Sequence, residues 1–251
     1  MGLAFAFASA LCNGANDVTF SGSGSLIDAA QTMAGAASIW TPITASATCQ
    51  AWYRGDASYS GGTWADGSGK GHNATQATAG KRPTYGATSG PNSTPALTFV
   101  AANSQNLQAV FTLAQPTWIW CVAQFSGTYV ANQYIYDAVN GGNGMSLFRQ
   151  ASATMSIDGG FVLQWTSATP QSWTAYGCYF HGNSSYIQAN GTTVASGAIG
   201  NGNEGGITIG SYETGLDFAG MVLAELVIYS TLPSATDLAN LNAYRLARYA
   251  F

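Results

Sequence analysis

From Cys49 onward, short runs of aromatic and β-branched residues recur along the chain, separated by glycine-rich polar turns. That is the texture of strands rather than helices. Residues 117–125 (TWIWCVAQF) lie between Pro116 and Gly127. They are apolar at odd and even positions alike, which predicts a central strand covered on both faces. Residues 173–181 (WTAYGCYFH) have the same character. Residues 185–189 (SYIQA) and 192–195 (TTVA) flank Asn190-Gly191. Asn-Gly between two such runs predicts a hairpin, because a type I′ turn needs positive φ at both central residues. Residues 206–210 (GITIG) and 221–229 (MVLAELVIY) add further strands. Together they predict an all-β fold, a two-sheet antiparallel jelly-roll sandwich.

The two ends read differently. Ser234-Ala235-Thr236-Asp237 opens a helix, with Ser234 as N-cap and Asp237 near the positive helix end. Leu238, Leu241, Tyr244 or Arg245, and Arg248 or Tyr249 follow at helical spacing, so one C-terminal helix packs on the sandwich. Residues 1–48 are rich in Ala, Ser and Gly, with Asp17 and Asp28 as their charges. They are expected to form an N-terminal arm and assembly anchor, followed by one domain over residues 49–251. Residues 25–37 suit either a short helix or coil. Residues 2–11 are apolar but lack the basic opening of a secretory signal, and they are too short to cross a bilayer. A docking arm and an inefficient signal peptide both remain open as readings.

Composition narrows the partners. The chain has 251 residues, the length of one all-β domain, and 47% are hydrophobic, enough for a sizeable core. Only 7% are charged, far below roughly 25% in average soluble proteins. Seven Lys and Arg, no basic cluster and a net charge of −4 argue against nucleic acid and against an anionic membrane surface. Cys12, Cys49, Cys121 and Cys178 form no C-x-x-C pair, and His72 and His181 are the two histidines, which disfavours structural zinc. Two disulfides or four half-buried thiols are both compatible with the spacing.

Three segments together resemble the laminin-G-like domains of the concanavalin A-like superfamily. The first is residues 64–76 (WADGSGKGHNATQ), followed by Arg82-Pro83-Thr84-Tyr85. It is similar to the family's W-x-D-x-S-G-x-G-x-x-A-x-Q opening and R-P-x-Y sequel. The second is residues 95–99 (PALTF), then 104–107 (SQNL). The third is residues 218–229, running into the terminal helix and residues 244–249 (YRLARY). The resemblance covers about residues 50–251 and implies the jelly-roll fold, a binding or structural role, and often a rim calcium. Domains of this kind occur in phage structural proteins and bacterial surface proteins. The first segment also has a purely structural reading: Gly67, Gly69 and Gly71 permit tight turns, Asp66 and Asn73 cap backbone donors, and Trp52 and Trp64 cover the sandwich edge.

Candidate chemistry is sparse. Glycoside hydrolysis needs two carboxyl groups flanking the bond, but the glutamates are Glu204, Glu213 and Glu225, and the residues two away from Glu225 are Leu223 and Val227. Asp217 with Glu225 is the one distant pair to consider. There is no G-x-S-x-G elbow. Residues 200–206 (GNGNEGG) lack the lysine of a phosphate loop and read as a long mobile loop. The chain is therefore expected not to be an enzyme. Calcium is the candidate ion, with Asp137, Asn140, Asn143 and Asp158 as ligands in glycine-rich loops. Glycan is the candidate ligand, with Tyr53, Tyr59 and Trp64 around the first motif, and Tyr134, Tyr136 and Tyr212 near the Asp137 and Glu204 loops. The expected function is a non-catalytic virion protein of a bacteriophage (decoration, head-fibre or tail), located on the virion or otherwise extracellular. Its partners would be other virion proteins or copies of itself, and glycans. A secreted carbohydrate-binding module or lectin is the alternative, with a glycoside hydrolase third.

Overall fold

The computed structural model describes residues 40–56, 59–139, 144–213 and 215–251. The arm up to residue 39, with its apolar stretch, residues 25–37 and Cys12, lies outside the described residues. The strands in chain order are β1 (Cys49–Arg54), β2 (Tyr59–Ser60), β3 (Thr63–Trp64), β4 (Ala74–Thr75), β5 (Thr84–Gly86) and β6 (Ala96–Phe99). There follow β7 (Leu107–Leu113), β8 (Thr117–Phe125), β9 (Gln133–Ala138), β10 (Ser146–Ala151), β11 (Thr154–Asp158) and β12 (Val162–Trp165). The set closes with β13 (Thr174–Phe180), β14 (Ser185–Ala189), β15 (Thr192–Gly197), β16 (Glu204–Ile209) and β17 (Met221–Tyr229), then helix α1 (Ala235–Tyr249). They form two antiparallel sheets packed face to face. The first runs β15-β14-β13-β8-β17-β6-β5, with β1 also on β17; the second runs β12-β11-β10-β9-β16-β7-β4-β3-β2.

Strand β8 shows why its sequence has no polar face. It lies between β13 and β17. Ile119, Cys121, Ala123 and Phe125 enter the core between the sheets. Trp118, Trp120 and Val122 enter a second apolar layer on the outer face of the first sheet, with Leu241 and Tyr249 of α1 and Trp52 of β1. Both faces of that sheet are therefore buried. The Asn190-Gly191 turn joins β14 to β15 with φ of 52° and 84°, the left-handed pair that a type I′ turn requires.

Helix α1 starts where its cap predicts: Ser234 Oγ accepts the Asp237 N–H at 3.1 Å. Asp237 then reaches backwards along the chain. It accepts the Trp40 indole N–H at 3.0 Å and the Ser46 N–H at 2.9 Å. Burial opposes ionisation of Asp237, but these hydrogen bonds hold its carboxyl well below the usual range. Residues 40–48 are thus fastened to the start of α1. Arg245 and Arg248 lie toward the C-terminal end of α1, Arg248 in its last turn, and both are buried.

The glycine-rich opening motif folds around one carboxylate. Asp66 accepts N–H groups from Trp52 (2.9 Å), Ser68 (2.8 Å) and His72 (3.0 Å), and Asn73 Oδ1 accepts the Asp66 N–H at 2.9 Å. Gly69 and Gly71 have φ of 82° and 79°, conformations that suit glycine. Cys49, Cys121 and Cys178 are free and buried. The 200–206 stretch differs from the loop expected. Gln115 Nε2 donates to Gly202 O at 3.0 Å, the Gly202 N–H donates to Gly159 O at 2.9 Å, and β16 begins at Glu204.

Candidate functional site

Among the described residues, no α-helix lies on the outer face of the second sheet. Its centre is built on a break in strand register. Tyr136 of β9 stands opposite Leu147 of β10, but Tyr134 stands opposite Phe148, so β9 holds one extra residue, Ile135. Ile135 and Tyr136 both point into the core between the sheets. Beyond this bulge Tyr134 changes face, as a bulged strand re-aims its side chains. Tyr134 and Phe148 belong to neither apolar core cluster. They stack on each other, with ring centroids 4.6 Å apart and planes at 12°.

A loop folds back over this pair. Tyr212 packs on Tyr134 at 5.0 Å and 55°. The Tyr212 N–H donates to Leu216 O at 3.0 Å, and the Tyr134 N–H donates to Asp217 O at 3.4 Å. Gly210, Glu213, Gly215 and Asp217 all have positive φ, at 93°, 30°, 137° and 48°. Glycine takes such angles without strain, so Glu213 and Asp217 are the two residues there whose backbone surrounding contacts must hold. One such contact is Asp137, whose Oδ2 accepts the Glu213 N–H at 2.9 Å.

The electrostatics of the patch are acidic. Asp137 is 3% exposed. Burial pushes its carboxyl up to about 6; two backbone N–H donors oppose the rise, and the charges of Glu213 and Asp158 add to it. A hydrogen bond to Glu213, then burial, pushes the Tyr212 phenol up to about 12. Burial raises the Tyr134 phenol too, with the negative charges of Asp137 and Asp217 beside it. Farther out on the sheet, Gln164 Nε2 donates to Gln150 Oε1 at 2.7 Å, and Gln108 Nε2 donates to Thr208 Oγ1 at 3.2 Å. Tyr134 is 8% and Phe148 3% exposed, so both lie buried beneath the loop, and the face presents the half-exposed Tyr212 ring beside amides and carboxylates, group types that recognise polyhydroxylated ligands.

Of the predicted glycan residues, the structure brings Tyr134 and Tyr212 together. Tyr53, Trp64 and Tyr136 are corrections: all three are fully buried in the core between the sheets. Tyr53 OH is bonded to His72 O and the Trp64 indole N–H to Arg54 O, so these polar tips close a loop rather than meet a ligand. Tyr59 is half-buried and donates to Pro83 O at 2.9 Å. Of the predicted calcium ligands, Asn140 and Asn143 lie outside the described residues. Asp158 Oδ1 accepts the Gly160 N–H at 2.7 Å, as a turn former does. Asp137 and Asp158 each hold a backbone donor, and among the described residues no group of three or more His, Cys, Asp or Glu converges on a metal position. Phe148, Glu213 and Asp217 escape a reading of the sequence because their meeting depends on the bulge and the loop, which no local pattern signals.

Glu225 takes a structural place. It lies on a central strand, not near a sheet edge, and is fully buried. It accepts from the Trp52 indole, from Tyr244 OH at 3.0 Å and from Tyr249 OH at 2.6 Å. These partners lie on β1 and α1, whereas Asp217 sits in the loop over the second sheet, so the distant carboxylate pair does not form.

No family model matches the chain, and no curated protein matches it. Solved structures do. One is Trypanosoma rangeli sialidase in complex with sialic acid, with a TM-score of 0.57 at 12% identity over 82% of this chain and 33% of that one. Another is domain 4 of a GH43 extracellular arabinanase from Geobacillus stearothermophilus in complex with arabinotriose, with a TM-score of 0.58 at 14% identity over 78% of this chain and 98% of that one. A third is botulinum neurotoxin type C, whose cell entry depends on two ganglioside molecules, with a TM-score of 0.54 at 11% identity over 78% and 51%. At these identities the likeness establishes the β-sandwich fold. The chain spans about a third of the length of the sialidase chains it matches. The expectation of a non-enzyme is overturned, because this sandwich occurs within chains of glycan-processing enzymes. Local spacing reveals only carboxylates that share one strand, whereas folding sets the charges of Glu213 and Asp158 against Asp137 from other segments.

Proposed function

We propose that the chain is a glycan-binding β-sandwich module, with its site on the outer face of the second sheet around Tyr134, Asp137 and Tyr212. The observation that carries this reading is the half-exposed Tyr212 ring, closed over the buried Tyr134–Phe148 stack and set among carboxylates on a sheet face that no α-helix among the described residues covers. The solved structures of similar fold include complexes with sialic acid and with arabinotriose, which supports glycans as the ligand class. The laminin-G-like family is part of the proposal. Its support is that the three motifs fall, in order, on the Asp66 loop, on β6, and on β17 with α1. A glycan array read with and without calcium tests the binding reading; no glycan bound in either condition would sink it.

A hydrolytic role at the same site is favoured by one observation. The Asp137 carboxyl is pushed up to about 6, near the range in which an acid exchanges protons efficiently at neutral pH, and a second carboxylate, Glu213, acts on it. A panel of aryl glycosides, assayed with wild type and D137N, tests it; turnover equal in both proteins would remove Asp137 from catalysis. We place the module outside the cell, a virion surface included. The support is its low charge and the apolar residues 2–11. Mass spectrometry of purified particles and culture medium tests this; recovery only from cell lysate would contradict it.

A further inference from the structure

A row of side chains continues from the Tyr212 site across the outer face of the second sheet. Tyr134 of β9 pairs with Phe148 of β10, Phe148 with Ser156 of β11, and Ser156 with Gln164 of β12. Met155 and Ile157 enter the core, and Leu163 and Trp165 pack against it. The alternation of a strand therefore turns Ser156, Asp158, Val162 and Gln164 to the outer face. Four strands at a spacing of about 4.8 Å carry the row about 14 Å across the sheet. It ends on β12, the last strand of that sheet, where Val162 is 43% and Phe161 70% exposed.

The amides of this row are fixed in place. Gln150 Oε1 accepts from Ser156 Oγ and from Gln164 Nε2, both at 2.7 Å. Ser156 is fully buried, whereas Gln150 is half-buried and Gln164 exposed. The Gln150 amide N–H groups and the Gln164 carbonyl have no hydrogen-bond partner among the described residues. An amide held at one end offers a donor or acceptor that is already ordered, which spares part of the entropy binding costs. The row also lacks an available cation. Arg149 is the one basic residue between positions 133 and 165. It is 1% exposed, and its guanidinium is taken up by Gly127 O, Ala151 O, Ser152 O and Gln133 Oε1. Asp158, opposite Val162, places a carboxylate on the face instead.

We infer that the outer face holds an uncharged polysaccharide chain over several consecutive sugars, rather than one terminal sugar. The inference rests on the glycan reading of the Tyr212 site. One sugar packs at Tyr212, and the next lie over Gln150 and Gln164, whose remaining amide groups meet ring hydroxyls. Val162 and Phe161 give the row an apolar end. Sugars that carry a carboxylate are disfavoured, because like charges brought together are costly and Asp158 has no exposed cation beside it.

The test is a calorimetric titration of the full chain with neutral arabino-, xylo-, cello-, manno- and malto-oligosaccharides of increasing length, and with oligogalacturonates of the same lengths. In at least one neutral series, affinity is expected to rise about tenfold or more from the disaccharide to the pentasaccharide, the worth of one or two hydrogen bonds beyond the first sugar. Oligogalacturonates should bind more weakly at every length. The double variant F161A/Q164A changes two exposed side chains. It should keep the melting temperature and the disaccharide affinity and lose the gain with length, whereas Y212A should lose both. Affinity independent of length, a gain undiminished in F161A/Q164A, or oligogalacturonates bound as tightly as the neutral chains would overturn the inference and leave the Tyr212 site standing. No binding of any series by wild type would overturn both.

Discussion

Asp137→Asn separates what stabilises the domain from what serves its site. The carboxyl is 3% exposed and is pushed from its ordinary 3.8 to about 6, chiefly by burial, with Glu213 and Asp158 adding negative charge. The folded chain therefore holds this proton more tightly than the unfolded chain. Between pH 3.8 and about 6 the folded state binds more protons, so stability falls as pH rises through that window. Every tenfold gain in proton affinity is worth about 1.4 kcal/mol, so the ionised carboxylate costs up to about 3 kcal/mol above the window. Asparagine keeps the shape and a carbonyl oxygen for the Glu213 N–H, which Asp137 now accepts at 2.9 Å, but it carries no charge. D137N should gain about 1–3 kcal/mol at neutral pH and almost nothing near pH 4, and its stability should vary less across the window. Urea unfolding followed by tryptophan fluorescence at several pH values measures this. A D137N protein less stable than wild type at neutral pH, or one with the same pH slope, would show that the buried charge at Asp137 does not destabilise the fold.

Three further outcomes concern the other side of the sandwich and the core. Glu225→Leu leaves the Trp52 indole and the Tyr244 and Tyr249 hydroxyls without their acceptor and should cost about 3–5 kcal/mol in urea unfolding; a loss below about 1 kcal/mol would show that the network is dispensable. Asp237→Ala removes the acceptor for Trp40 and Ser46 as well as a group paired with Ser234. It should cost about 1–2 kcal/mol. The depressed carboxyl stabilises the fold above its ordinary pKa and loses that contribution in acid, so the difference from wild type should shrink as pH falls; a constant difference would contradict the assignment. Burial pushes the Cys49 and Cys178 thiols up to about 12 and raises Cys121 well above its ordinary value. All three should resist a thiol reagent in the native state and react on unfolding, and fast native modification of Cys121 or Cys178 would contradict the core packing.

Local pattern made much of the fold legible. The apolar run of β8, the Asn190-Gly191 turn and the Ser234 cap each act within a few residues, and each sits where its sequence places it. The carboxylate-centred turn at Asp66 was readable for the same reason. The site was less so. Tyr53, Trp64 and Tyr136 stand in polar, glycine-rich surroundings, and an aromatic residue there does not reveal which face of a strand it takes. Tyr134 shares the outer face with Phe148 only because Ile135 bulges, and a bulge depends on the partner strand's register. The lone glutamate Glu225 looked unpaired along its strand, yet its partners lie on β1 and α1. Long-range pairing of this kind leaves no periodic trace.

Glycan binding by wild type and Y212A, compared on one array, decides whether the outer face of the second sheet is the site. Tyr212 is half-exposed, its ring closes over Tyr134, and its loss leaves both apolar cores intact. Wild type is expected to retain a defined set of glycans, and Y212A to lose them while its melting temperature changes little. Binding by Y212A equal to wild type would move the site away from that face.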